Sequence, residues 1–203
     1  MSGITRYLLS LLIVLAGLQL LSCSHGDTNS AQPETATQLV GDGWQAYANQ
    51  QYQTALSKFT AAIGLDGNMV DAFNGAGWAS AKLGQLANAA TQFGRGNVRD
   101  TNNTDILAGL ALVDNANKNY SVSATDAQSL LLKNSHWFFE RDTGVDYNDI
   151  RVVLEEDYFA VGSFDLSLAI VRQVNPSFSA DVSTVQGQAA LAQEIERQRN
   201  LYQ

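Results

Sequence analysis

The chain has 203 residues, 45% of them hydrophobic and 16% charged, with 20 acidic against 12 basic side chains and a net charge of −8. That balance excludes a nucleic-acid binder, whose phosphate contacts need a basic surface. A single cysteine excludes an internal disulfide, so an exported domain of this length is held by its core alone.

Arg6 precedes the apolar run Leu8 to Leu21, which is interrupted by Ser10, Gly17 and Gln19. The run is shorter than the roughly 20 residues of a membrane span and fits the apolar region of a secretory signal. It ends in Leu20-Leu21-Ser22-Cys23, which resembles the lipobox of bacterial lipoproteins. The resemblance implies that residues 1–22 are a signal peptide, with cleavage before Cys23, lipid on its sulfur and an acylated new amino terminus. Cleavage removes Arg6, leaving no polybasic patch, so attachment would rest on acyl chains such as palmitate. Ser24 stands where inner-membrane lipoproteins carry a retention aspartate, and similarity to that sorting rule implies the outer membrane, facing the periplasm. Residues 23–35 are small and polar without apolar periodicity, which reads as a flexible tether. His25 lies in this tether with no second metal ligand near it.

From residue 36 the sequence repeats with a period of 34. The offset carries Leu39 onto Phe73, Gly41 onto Gly75, Gly43 onto Gly77 and Trp44 onto Trp78. It also carries Tyr52 onto Leu86, Ala55 onto Ala89, Phe59 onto Phe93 and Asp71 onto Asp105. Within each unit the apolar residues fall at helical spacing in two stretches separated by a turn. These residues resemble the tetratricopeptide repeat, in which a first-helix glycine lets the second helix approach closely. Gly43 with Ala55 and Gly77 with Ala89 match those roles, while Gly67 and Thr101 stand where the repeat carries a proline.

The resemblance implies an all-α solenoid over 36–203, with about four repeats at 36–69, 70–103, 104–133 and 148–176. The third is degenerate, traced through Leu107, Ala111 and Tyr120; the fourth is traced through Phe164, Ser167 and Val171. The fourth lies further from the first than three periods, which places an insertion at 134–147. Its stretch His136-Trp137-Phe138-Phe139 either offers aromatics to a partner or plugs an interruption in the stacking, burying Trp137 and Phe139. After Pro176, Asp181 or Ser183 caps a last helix within 181–203, whose stripe of Val185, Ala189, Leu191, Ala192 and Ile195 closes the solenoid.

Catalytic chemistry has little to draw on. His136 is the one histidine in the repeat region, no cysteine accompanies it, and the serines lack nucleophile-elbow spacing. Asp142, Asp146 and Asp149 lack calcium-loop spacing and read as helix-start residues, as do Asp71 and Asp105. No catalytic residue, metal site or cofactor is expected.

Stacked hairpins curve, and their inner surface takes one face of each first helix. Trp44, Tyr47, Asn74, Trp78 and Lys82 fall on that face and are the candidate partner-binding residues. Aromatics supply contact area, while Asn and Lys bind a peptide backbone or carboxylate. Alternatively, the two tryptophans are covered by the insertion or the last helix. The expected function is a non-catalytic envelope adaptor that binds another protein or peptide segment through the groove. The alternative is a glycan- or small-ligand-binding lipoprotein that stacks sugars on Trp44, Tyr47 and Trp78.

Overall fold

Thr35 starts the first helix with a capping box: its hydroxyl accepts the Gln38 N–H at 3.2 Å and its own N–H donates to Gln38 Oε1 at 2.8 Å. A computed structural model of the protein describes residues 34–202, and Cys23 with its leader and tether lies outside them. Among the described residues there are nine helices and no strand. They pair as α1 (Ala36–Ala48) with α2 (Tyr52–Leu65), α3 (Val70–Lys82) with α4 (Leu86–Arg99), and α5 (Thr104–Ala116) with α6 (Tyr120–Lys133). The fourth pair is α7 (Tyr147–Ala160) with α8 (Phe164–Val174), and α9 (Val185–Tyr202) follows it. The protein is an all-α solenoid of four helical hairpins with a C-terminal helix packed on the last pair.

One backbone feature marks every hairpin turn. Gln50, Gly84, Lys118 and Gly162 all have positive φ, between 60° and 78°. The first three are one repeat period apart, and the fourth places α7–α8 in the same series. A left-handed residue here reverses the chain so that the two helices run antiparallel.

The glycines of the first helices serve packing. Phe59 sits against Gly43 and Gly75, and Phe93 sits against Gly77 and Gly109; both rings are fully buried. A methyl group at any of these glycines would collide with a ring. Each phenylalanine therefore wedges between its own hairpin and the next, and only glycine leaves room. Ala127 and Val171 stand at the equivalent positions of the third and fourth hairpins, where no aromatic wedge is needed. The small residue of the second helix becomes serine in these two hairpins. Ser123 Oγ donates to the Ala111 carbonyl and Ser167 Oγ to the Glu155 carbonyl, each at 2.8 Å, so burial leaves neither hydroxyl unpaired.

Successive first helices touch, α1 to α3 to α5 to α7, and form the inner layer. Three details differ from the sequence reading. Asp71 and Asp105 do not cap α3 and α5; Met69 and Asn103 hold those places, and the two aspartates lie in the first turn, free to face the inner wall. Neither Asp181 nor Ser183 caps α9: Thr184 Oγ1 accepts the Gly187 N–H at 3.1 Å, and Gly187 packs directly against the Asp181 backbone. The buried stripe of α9 is also rotated. Val185 is exposed, whereas Glu194 and Gln198 are buried beside Leu191 and Ile195.

Candidate functional site

The inner wall of the first two hairpins is occupied by the chain's own insertion. Between Lys133 and Tyr147 the backbone runs without a helix and turns back on itself. Phe139 N–H donates to the Val145 carbonyl at 2.9 Å and Tyr147 N–H to the Trp137 carbonyl at 2.8 Å, with one antiparallel bridge between Phe138 and Asp146. Asp146 then starts α7 through a capping box with Asp149. Alternation of side chains across this narrow loop sends Trp137 and Phe139 inward and Phe138 outward. Trp137 is 2% exposed, Phe139 0% and Phe138 55%, so the segment is a plug with one aromatic left in solvent.

Phe139 lies at the centre of an aromatic cluster. Its ring stacks on Trp78 with centroids 4.3 Å apart and planes 21° apart, and it meets Trp44 edge-on at 6.1 Å and Tyr47 at 6.3 Å. Trp137 also stacks on it, with centroids 6.3 Å apart. The Arg141 guanidinium lies 5.0 Å from the Trp44 ring centre, and Asp142 pairs with Lys82 at 2.6 Å. Lys82 holds the Asp142 carboxyl below the usual carboxylate range. Burial, with Asp142 nearby, pushes the Tyr47 hydroxyl above its ordinary value.

The candidate partner-binding residues therefore converge as one surface. Trp44, Tyr47, Asn74 and Trp78 are all buried, and Lys82 is half-buried in its ion pair. The covering element is the insertion, not the last helix. The flat faces a sugar would need are taken by Phe139 on Trp78 and by Arg141 on Trp44.

Indole hydrogen bonds tie the wall together. Trp44 Nε1 donates to both carboxylate oxygens of Asp71 at 3.1 Å, and Trp137 Nε1 donates to Asp105 at 2.8 Å. Burial pushes the Asp105 carboxyl up, while the bonds from Trp137 and Asn74 oppose that shift. The sequence reading missed the acceptor role of both aspartates. The signal was present: Trp44 and Asp71 have the same 27-residue spacing as Trp78 and Asp105.

Two clefts remain on this side of the molecule. One, of about 600 Å³, adjoins the tip of the insertion and is lined by Thr37, Val40, Trp44, Asp71, Glu140 and Arg141. The other, of about 390 Å³, is lined by Leu112 and Asn115 of α5, by α7, and by Arg199 and Tyr202 of α9. His136 lines a separate cleft of about 420 Å³ with Tyr147, Arg151 and Tyr158, a lining that includes neither Asp142 nor Asp146. Among the described residues no group of three or more metal-ligating side chains is gathered, and no helix is long and apolar enough to cross a membrane.

No family model and no curated protein matches the chain. Solved structures do. A protein named MamA superposes with a TM-score of 0.62 at 15% identity, over 84% of this chain and 91% of its own. A thermophilic tetratricopeptide protein of Thermus thermophilus gives 0.54 at 12% identity, over 84% of both chains. The first tetratricopeptide domain of Spaghetti (RPAP3), solved with an HSP90 peptide bound, gives 0.53 at 16% identity over 60% of this chain and 92% of its own. The fold is a tetratricopeptide-like solenoid.

Proposed function

We propose that the protein is a non-catalytic adaptor of the bacterial cell envelope. It is anchored by lipid on Cys23, most consistently at the outer membrane facing the periplasm, and it binds another envelope protein or a peptide segment of one. Trp44, Tyr47, Asn74, Trp78 and Lys82 form the recognising wall. The observation that carries this reading is the seating of an irregular aromatic segment, residues 137–142, against that wall through stacking, an indole–carboxylate bond and an ion pair. A wall that accepts such a segment from its own chain has the chemistry to accept one from another. A peptide-bound neighbour of the same fold supports the reading. The acidic balance favours protein over nucleic acid.

The test is crosslinking in intact cells followed by mass spectrometry of co-purified proteins. One envelope protein should be recovered reproducibly from wild type. Recovery of none, or turnover of a substrate by the purified protein, overturns the proposal. Labelling with a palmitate analogue should mark the wild-type chain and not Cys23→Ser.

A further inference from the structure

The insertion does not satisfy the wall it covers. Three buried polar atoms in the wall have no hydrogen-bond partner: Tyr47 Oη, Asn74 Oδ1 and Trp78 Nε1. Their residues are only 3–4% exposed, so bulk solvent does not reach them. A buried donor or acceptor without a partner keeps its desolvation penalty uncompensated by protein groups. For Trp78 the repeat register explains the loss. Its counterpart Trp44 bonds to Asp71, and the equivalent acceptor for Trp78 is Asp105, which Trp137 occupies instead.

The insertion is also attached in a particular way. Apart from Trp137 N–H, which donates to the Asn134 carbonyl at the end of α6, the backbone hydrogen bonds of 137–147 close within the segment and its continuation into α7: Phe139 to Val145, Asp142 to Phe139, Val145 to Asp142 and Tyr147 to Trp137, so none runs to the wall. The ties to the wall run through side chains, namely Trp137 to Asp105, Asp142 to Lys82 and the stacked Phe139. A loop that keeps its own backbone bonds can leave the wall as a unit, without breaking a backbone ladder. The cleft of about 600 Å³ at its tip opens beside Trp44 and Asp71, at the edge of the same wall.

We infer that residues 137–142 are an internal stand-in for the partner. The wall recognises an extended peptide with two aromatic side chains two residues apart and a carboxylate three residues after the second. This inference rests on the adaptor reading and specifies its partner. The first aromatic is best a tryptophan, whose N–H meets Asp105; the second takes the place of Phe139 on Trp78; the carboxylate meets Lys82. An incoming peptide gains over the stand-in by supplying backbone groups to the three orphaned atoms. Its carbonyls accept from Trp78 Nε1 and Tyr47 Oη, and an N–H donates to Asn74 Oδ1.

The probe is a fluorescent synthetic peptide, Ser-His-Trp-Phe-Phe-Glu-Arg-Asp-Thr-Gly, titrated by anisotropy against the full-length chain. Asp142→Ala removes the Lys82 tie and raises the fraction with an open wall, so it should bind the peptide about tenfold more tightly than wild type does. The same peptide with its tryptophan and second phenylalanine changed to serine should not bind. On wild type, excess aromatic peptide should expose amides of 136–145 to hydrogen exchange while α1 and α3 stay protected. Failure of both the affinity gain and the exchange response makes the insertion a permanent part of the core and overturns the inference. A variant that dimerises and refuses the peptide also overturns it, making a second copy the occupant. Either failure, alongside a crosslinked partner in cells, leaves the adaptor reading standing with a different surface.

Discussion

Trp137 gives its indole N–H to Asp105, at the position where the repeat register would place the N–H of Trp78. A residue from outside the repeats has taken over a contact made within them one hairpin earlier. Asp105→Ala should leave a buried indole N–H unpaired and cost about 1–3 kcal/mol. Trp137→Phe removes the donor, so the double variant should lose less than the sum of the singles, by about 0.5–3 kcal/mol. Urea unfolding followed by circular dichroism measures the cycle. Full additivity would mean the bond contributes nothing to the wall.

The glycines divide into two groups with opposite expectations. Gly75 and Gly109 lie against Phe59 and Phe93, so Gly75→Ala or Gly109→Ala should cost about 1–3 kcal/mol through overpacking. Gly41 and Gly94 have open space around a Cβ, so alanine there should stabilise by about 0.5–1 kcal/mol. The four melting temperatures test the sorting. A loss at Gly41→Ala comparable to that at Gly75→Ala would contradict it.

The turn positions give a related prediction. Gly84 and Gly162 suit their positive φ, whereas Gln50 and Lys118 adopt it at a cost of roughly 1–2 kcal/mol. Gln50→Gly and Lys118→Gly should raise the melting temperature, offset in part by greater freedom of the unfolded chain. Gly84→Ala should lower it.

Burial lifts the Glu155 carboxyl from its ordinary 4.5 to about 8, with the Arg151 charge opposing the shift. Neither of its oxygens has a partner. A carboxyl that keeps its proton longer when folded contributes stability below its unfolded value, and that contribution is lost as pH rises towards its folded value. Asp157 and Asp126, each raised to about 6 by burial, act in the same direction. Unfolding free energy should therefore fall between pH 5 and 8, by at most about 1.4 kcal/mol per pH unit for each group. Glu155→Gln should flatten the upper part of that slope and be more stable than wild type at pH 8.

Much of this architecture is legible in the sequence because a serial fold repeats its packing demands. Glycine, alanine and phenylalanine recur at one offset since the same wedge is built twice, at Phe59 and Phe93. The wall residues were legible for the same reason. Their covering by the insertion stood only as one of two alternatives, because the insertion occurs once and its contacts span long separations, such as 32 residues from Asp105 to Trp137. The plug alternative, with Trp137 and Phe139 buried, is the one the structure adopts; the strand-like alternation behind it is too short for periodicity to choose between the alternatives. The caps of α3 and α5 were misread because Asp71 and Asp105 are good capping residues in the wrong place. Their carboxylates serve indoles instead.

The last helix makes a second, smaller core. Leu191 and Ile195 of α9 bury against Leu168 and Val171 of α8, apart from the main cluster that runs from Leu39 to Leu154. Polar ties reinforce it: Gln198 Nε2 donates to the Val171 carbonyl at 3.2 Å, Asn175 Nδ2 donates to Glu194 at 3.0 Å, and Arg199 pairs with Glu156. Arg197, with Asn175 and Gln198, holds the Glu194 carboxyl down at about 2. Leu191→Ala removes a fully buried side chain from this small cluster and should cost about 2–5 kcal/mol. Because the two clusters are separate, the loss should appear first as local opening of α8 and α9, with the earlier hairpins still closed. Hydrogen exchange read by mass spectrometry should show faster exchange over 164–202 and unchanged protection over 36–133. Uniform acceleration along the whole chain would instead mean that the solenoid unfolds as a single cooperative unit, with the terminal helix an integral part of its core.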